Sequence, residues 1–239
     1  MLLLPTLNRP KILATCLQSA LDTGATEECM ILIDQDDWKT NLSAYGELKK
    51  PMGWSFKITT GVTMAEKVAE VYDAFWQTLG IINDDFEFVT EEWDKKLLKY
   101  LDGKTFVSSN DRMQRSFIKP SGVTVWNIAL LEALGWKSFF PPGLQHLFVD
   151  DVWLQLGSAT GTWRLAADVI VLHNHVLDGK MEQDATFHKT YDDFFAGTSR
   201  DKSVFDLYMK HDFGKDVQKI MAFQDYLPGE QQNPKVYSK

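Results

Sequence analysis

The fold is decided by the stretch Cys29-Met30-Ile31-Leu32-Ile33-Asp34-Gln35-Asp36-Asp37, an apolar run of strand length that ends in acidic side chains. The later stretch Leu79-Gly80-Ile81-Ile82-Asn83-Asp84-Asp85 has the same form. Unbroken apolar runs of this length are typical of parallel strands that are covered on both faces. Open parallel sheets bind their ligands beyond the carboxyl ends of the strands. Both acidic clusters therefore lie where such a sheet binds a ligand.

Working outward from these two runs, strands and helices alternate over the first half of the chain. Strands are predicted over residues 2–4, 29–33, 54–60, 79–82 and 105–109, with a helix after the first, the third and the fourth of them. This alternation indicates an α/β fold with a mostly parallel, doubly wound sheet. Within it we expect Phe75 to face inward from a helix and Thr90 to cap the next helix.

The pattern changes after residue 110. An apolar, helical stretch is predicted over 124–135, and a strand over 167–176. From residue 178 onward the sequence is polar with short helical patterns, which predicts a C-terminal helical appendage packed on the core.

Composition excludes several classes of protein. The 239 residues are 44% hydrophobic, which rules out a chain disordered throughout, and the net charge of −8 excludes a generally basic nucleic-acid coat but not a local basic face. Cys16 and Cys29 lie in apolar stretches and cannot build a disulfide framework, which favours a reducing compartment. Because no leader or membrane-spanning run is visible, we expect a soluble, cytoplasmic protein with no membrane partner.

Three polar groups lie at the ends of the predicted N-terminal strands. Asp84 and Asp85 offer the hard oxygen ligands that Mg²⁺ and Mn²⁺ prefer, although a solvated turn explains them equally well. Asp34 can accept hydrogen bonds from a ribose or a base, or can belong to a polar loop. The loop Pro5-Thr6-Leu7-Asn8-Arg9-Pro10 can hold a nucleotide, and Arg9 suits phosphate through its forked guanidinium. A structural turn is the alternative there.

Two further groups lie in the second half of the chain. His173 and His175, two apart on a predicted strand, point to the same face, and imidazole is a common metal ligand. A histidine pair exposed to water is the alternative. Asp150 and Asp151 precede an amphipathic stretch, where a carboxylate either caps a helix or serves as a general base.

A basic segment spans residues 95–119, with seven Lys and Arg residues against two Asp residues. A solvated helix face explains the first lysines. The part from Arg112 to Lys119 could meet a diphosphate or a polyanionic acceptor.

In this order, the residues resemble the nucleotide-sugar glycosyltransferases of the GT-A fold, and most closely the large inverting family 2. The resemblance covers residues 2–176. Its parts are the opening strand and loop at Pro5–Arg9, Asp34, Asn83-Asp84-Asp85 in place of the Asp-x-Asp motif, the apolar segment Trp126–Trp136, and Asp150-Asp151. It departs from the family at Asn83, which replaces the first acid, and at Lys67, where members often carry Arg-Asn. No arginine follows the acid pair, and the tail has no counterpart.

The resemblance implies a role for each of these residues. Asp151 would be the catalytic base, and Asp85 with His173 or His175 would bind a divalent cation, Mn²⁺ or Mg²⁺. The nucleotide would be held by Thr6, Asn8, Arg9, Asp34, Lys67 and Asp84. The acceptor would contact Trp126, Asp150, Arg112 and Arg115. The implied domains are a GT-A glycosyltransferase domain over 1–177, with a nucleotide-binding half over 1–112 and an acceptor half over 113–177, and a helical extension over 178–239.

The expected activity is sugar transfer from a nucleoside-diphosphate sugar, a UDP-sugar first, to an acceptor hydroxyl. A single base without a nucleophile implies inversion at the anomeric carbon. The acceptor stays open between a glycan, a protein, a small molecule and a hydroxymethylated DNA base. The last option follows from similarity to virus- or phage-borne transferases, which would place the protein in the host cytoplasm. Two alternatives are a non-catalytic nucleotide- or sugar-binding module and a sugar-phosphate nucleotidyltransferase.

Overall fold

The computed structural model describes residues 1–112, 119–174, 184–197 and 199–226. Within these ranges, ten helices flank a mixed sheet of eight strands. The strands are β1 (Leu2–Thr6), β2 (Cys29–Asp34), β3 (Trp54–Thr59), β4 (Thr78–Ile81), β5 (Phe86–Phe88), β6 (Phe106–Asn110), β7 (Thr124–Asn127) and β8 (Trp163–His173). The helices are α1 (Pro10–Asp22), α2 (Gln35–Thr40), α3 (Leu42–Gly46), α4 (Met64–Val71), α5 (Trp93–Leu98), α6 (Ile128–Leu134), α7 (Val149–Thr160), α8 (Ala185–Phe195), α9 (Arg200–His211) and α10 (Phe213–Tyr226).

Four parallel strands form one half of the sheet, in the order β3-β2-β1-β4. Their central residues, such as Leu4, Ile31 and Leu79, are fully buried, as expected for strands covered on both faces. Helix α1 connects β1 to β2, and α4 lies on the connection from β3 to β4, so both connections have the βαβ form. The α/β class predicted from the apolar runs is therefore confirmed.

The other half of the sheet is mixed, so the expectation of a mostly parallel sheet holds only for the N-terminal half. Strand β7 pairs antiparallel with β4 and β6, β8 pairs parallel with β6, and β5 pairs antiparallel with β8. The helix predicted over 124–135 is wrong in its first four residues, because Thr124–Asn127 form β7. Helix α6 starts only at Ile128, where the Asn127 side chain accepts the Ala129 amide at 3.0 Å.

Three local predictions are also corrected. Thr90 does not cap a helix: its hydroxyl accepts the Ile170 amide at 2.8 Å and donates to the Asp168 carbonyl at 3.3 Å, because β8 bulges there. Phe75 follows the end of α4 and is 94% exposed. Strand β8 begins at Trp163 rather than at residue 167 and ends at His173, and residues 175 and 176 of the predicted strand lie outside the described residues.

The C-terminal helices pack on the same side of the sheet as α6 and α7. Tyr208 of α9 and Ile220 of α10 are buried in one apolar cluster with Leu130 and Trp153. The Lys219 ammonium donates to the Leu134 carbonyl at the end of α6 at 2.9 Å. In the part of the chain that the structure describes, no helix is long and apolar enough to cross a membrane.

Candidate active site

A cavity of about 670 Å³ opens beyond the carboxyl ends of β1 and β4. It is bounded by the loop after β1, the loop after β4, the starts of α4 and α7, the end of β8, and residues of α8 and α9. Nine of the residues predicted for the site line it: Thr6, Arg9, Lys67, Asp84, Asp85, Trp126, Asp150, Asp151 and His173. Segments far apart in sequence thus meet at one place.

Asp84 ties the loop after β1 to the loop after β4. Its carboxylate, 6% exposed, accepts the Thr6 hydroxyl at 2.7 Å and the Arg9 guanidinium at 3.3 Å. Burial and the neighbouring Asp85 charge raise the pKa of Asp84 to about 6, although Arg9 and Thr6 oppose the shift. Asp84 therefore fixes the loop after β1 against the loop after β4.

Asp85 and His173 form the second group. The pairing of β5 with β8 places Phe86 opposite His173, which brings Asp85 within 3.3 Å of the imidazole Nε2. The imidazole Nδ1 lies 3.9 Å from Asp111. Burial lowers the pKa of His173, but the nearby carboxylates of Asp111 and Asp85 favour the charged imidazolium, outweigh that effect and raise the pKa to about 9.

The Asp85–His173 pair suits a divalent cation that is completed by phosphate oxygens. Metal–ligand bonds of about 2.1 Å place two adjacent ligand atoms of an octahedron roughly 3.0 Å apart, close to the observed 3.3 Å between Oδ1 and Nε2. Carboxylate oxygens suit Mg²⁺ and Mn²⁺, and imidazole is a common metal ligand in its neutral form. A cation bound to His173 would therefore displace the proton that the raised pKa retains. Among the described residues, no three His, Cys, Asp or Glu side chains converge as a complete metal site. The predicted ligand His175 lies outside the described residues.

Asp34 at the end of β2 forms an ion pair with Lys67 of α4, whose side chain is almost fully buried. Lys67 lines the cavity, whereas Asp34 is not among the lining residues. Asn8 does not line the cavity. Its backbone is in the left-handed conformation, with φ of 55°, and its backbone N–H donates to the Asp37 carboxylate at 2.7 Å. Asp37, the last residue of the acidic cluster that follows β2, is buried and also accepts the Tyr45 hydroxyl at 2.8 Å.

Asp150 and Asp151 occupy the first turn of α7, which follows Phe148 at φ of 65°. The Lys119 ammonium forms an ion pair with Asp150 and lies 3.8 Å from Asp151. Burial raises the pKa of Asp151, and the adjacent Asp150 charge adds to that shift while Lys119 opposes it. A carboxylate with a raised pKa is a better proton acceptor than an ordinary aspartate.

The remaining predicted residues differ in position. Trp126 is 2% exposed and stacks on Phe139 at 4.7 Å, so it forms the apolar floor of the cavity. Arg112 is exposed and is not among the residues that line the cavity. Arg115 lies outside the described residues.

The sequence analysis did not identify two carboxylates of the C-terminal helices that contact the site. Asp184 caps α8 and binds Arg9 through both oxygens, at 2.7 and 2.8 Å. Asp201 of α9, 7% exposed, accepts three backbone amides from the loop before α7, those of Gln145, His146 and Leu147, at 3.0, 2.8 and 2.8 Å. A carboxylate near the start of a predicted helix reads as a cap, so neither long-range contact leaves a signal in the sequence.

No protein-family model matches the sequence, and no curated protein is significantly similar to it. Among solved structures, the fold is similar to that of a mannosyltransferase from Pyrobaculum calidifontis in complex with GDP-Man and Mn²⁺, with a TM-score of 0.53 at 13% identity, over 94% of this chain and 73% of that one. A mycobacterial protein matches with a TM-score of 0.50 at 12% identity, over 77% and 68%.

A third similarity is to TarS of S. aureus, with a TM-score of 0.49 at 13% identity, over 71% of this chain. The chain spans 35% of the length of TarS. At the 12–13% identity of the mannosyltransferase and the mycobacterial protein, the similarity shows the fold alone, which is the GT-A-like fold expected from the sequence.

Proposed function

We propose that this protein is an inverting glycosyltransferase that moves a sugar from a nucleoside-diphosphate sugar to an acceptor hydroxyl with the help of a divalent cation. The observation that carries the proposal is the convergence of Arg9, Asp85, Asp151 and His173 around one cavity at the carboxyl ends of β1 and β4. These residues come from four distant segments, and each has the chemistry that one part of the reaction requires.

The donor half of the cavity would bind the diphosphate. Asp85 and His173 would hold Mn²⁺ or Mg²⁺, which offsets the negative charge that develops on the leaving diphosphate. Arg9 lies beside them and would bring its positive charge to the diphosphate, although its guanidinium is also paired with Asp184 and Asp84. The nucleoside would extend toward Lys67, which lines the cavity and is ion-paired with Asp34. We take a UDP-sugar as the first donor to test. GDP-mannose is the second, because the similar mannosyltransferase binds GDP-Man with Mn²⁺.

Asp151 would act as the general base. In the transfer, the acceptor oxygen forms a bond to C1 of the sugar while its proton passes to the Asp151 carboxylate. The bond from C1 to the diphosphate oxygen breaks, and its electron pair leaves on the nucleoside diphosphate. One displacement with no covalent enzyme intermediate inverts the anomeric carbon. The raised pKa of Asp151 supports this role.

A panel of UDP-, GDP- and other nucleotide sugars, scored for release of nucleoside diphosphate with Mn²⁺ or Mg²⁺, tests the proposal. We expect release from one donor and a loss of about a hundred-fold or more in Asp151→Asn. The matched control is Asp22→Asn, which changes an exposed carboxylate at the end of α1. Nucleotide-sugar binding without release would instead indicate a binding module. Release of pyrophosphate from a nucleoside triphosphate, with transfer of the nucleotidyl group to a sugar 1-phosphate, would indicate a nucleotidyltransferase.

A further inference from the structure

Helix α8 brings a row of aromatic rings to the cavity. Phe187, Tyr191 and Phe194 all line it, at spacings of four and three residues that place them along one side of the helix. The rings of Phe187 and Tyr191 stack with centroids 4.8 Å apart. The proposed transfer chemistry uses none of these rings.

These three residues, Phe187, Tyr191 and Phe194, form an aromatic wall that is held beside the proposed base Asp151. Asp184 caps α8 by accepting the Phe187 backbone amide at 2.7 Å, and the same carboxylate binds Arg9, which lines the cavity. At the other end of the wall, the ring of Phe194 lies 5.8 Å from that of Phe148, the residue that directly precedes α7. The wall therefore borders the space in front of the α7 N-terminus.

The charges around that space disfavour an anionic ligand. Two carboxylates, Asp150 and Asp151, face one ammonium, that of Lys119, which is already ion-paired with Asp150. A phosphorylated or nucleic-acid acceptor would bring more negative charge against this excess. The basic segment that would have favoured DNA offers little here: Arg112 is exposed and away from the cavity lining, and Lys119, which lines the cavity, is ion-paired with Asp150.

Aromatic faces next to a few polar groups are a common design for binding a ring that has an apolar face and polar edges. Resting on the proposed function, we propose that Tyr191 and Phe194 form the acceptor subsite and that the acceptor is an uncharged, hydroxyl-bearing ring, such as the sugar of a glycoside. Its apolar face packs against the wall while one hydroxyl faces Asp151.

The test compares acceptors and variants with the donor that the nucleotide-sugar panel identifies. Methyl glycopyranosides of glucose, galactose and mannose are set against the 6-phosphates of the same sugars and an oligonucleotide that contains hydroxymethylcytosine. For each variant we measure the ratio of sugar transfer to donor hydrolysis. Phe194→Leu keeps apolar volume without a ring, and Phe194→Tyr keeps the ring. Phe75→Ala is the control, because Phe75 is an exposed phenylalanine outside the cavity lining.

We expect transfer to at least one methyl glycoside and about ten-fold less to its phosphorylated form. The transfer ratio should fall about ten-fold in Phe194→Leu and stay near the wild-type value in Phe194→Tyr and Phe75→Ala. Preferred transfer to a phosphorylated sugar or to the oligonucleotide overturns the proposal, and so does an unchanged ratio in Phe194→Leu.

Failure of the proposed function gives a different result, namely no nucleoside diphosphate released from any donor. In that case, saturation-transfer NMR with the methyl glycosides still tests the subsite. Contact with the ring protons of a glycoside that weakens in Phe194→Leu and persists in Phe194→Tyr supports it. No saturation transfer to any of the three glycosides overturns it.

Discussion

Asp201 is the residue whose replacement tests most directly how the C-terminal helices serve the site. Its buried carboxylate accepts the amides of Gln145, His146 and Leu147, the loop that leads into α7 and the proposed base. In Asp201→Asn one oxygen and the negative charge are lost, so at most two of the three bonds survive and each is weaker. With about 2 kcal/mol for the lost bond to the charged oxygen and about 0.5 kcal/mol for the weakening of each of the other two, the free energy of unfolding should fall by roughly 3 kcal/mol.

The same change should slow catalysis, because a misplacement of about 1 Å at a reacting group can cost up to a hundred-fold in rate. We expect kcat for nucleoside-diphosphate release to fall about ten- to a hundred-fold in Asp201→Asn, with little change in the KM for the donor. Hydrogen exchange of the amides of residues 145–147 should accelerate in the variant. Urea unfolding and steady-state kinetics give the two magnitudes.

The matched control is Asp216→Asn. Asp216 is another buried carboxylate of the C-terminal helices, and it binds the Tyr208 hydroxyl at 3.1 Å and Lys219 at 2.7 Å, outside the cavity lining. It should lose stability while keeping kcat. If Asp201→Asn keeps kcat within about two-fold of the wild type while its stability falls like that of the control, the positioning role is refuted.

Three further predictions concern the base, the cation and the core. The value of kcat/KM should fall at acidic pH as Asp151 is protonated. Asp150→Asn removes a negative charge that raises the pKa of Asp151, so this acidic fall should move to lower pH in the variant. An acidic fall that stays at the same pH contradicts the assignment of Asp151 as the base. Asp85→Asn should weaken Mn²⁺ binding in the presence of nucleoside diphosphate by about ten-fold or more, measured by electron paramagnetic resonance of free Mn²⁺. Gly157→Ala should lower the free energy of unfolding by about 1–3 kcal/mol, because the new Cβ would lie 2.6 Å from the Cβ of Trp163. The control Gly214→Ala places its Cβ where no atom lies within 4 Å, so in thermal unfolding it should be neutral or stabilising.

The wrong or missing predictions for β5, β7 and Thr90 have the same physical cause. Strand β5 has three residues, too few to show a period, and it exists because it pairs with the end of β8. Strand β7 is apolar and directly precedes a helix, so its four residues read as part of that helix. Thr90 has the local chemistry of a cap, but the bulge of β8 offers it a carbonyl and an amide instead. In each case a partner distant in sequence decides between two local conformations.

Local sequence was sufficient for the buried parallel strands, for helices α1 and α4 and for the position of the acidic clusters at the strand ends, because apolar periodicity acts over neighbouring residues. It did not predict the short helices α2 and α3. By chemical type it also gave Asp85, Asp151 and His173 as candidates, and their roles stay predictions. Only the tertiary structure decided that these three face one cavity, and that Asp184 and Asp201 of the C-terminal helices bind Arg9 and the loop before α7. Those contacts join residues more than 50 positions apart, and no local pattern encodes which distant backbone amide a carboxylate will meet.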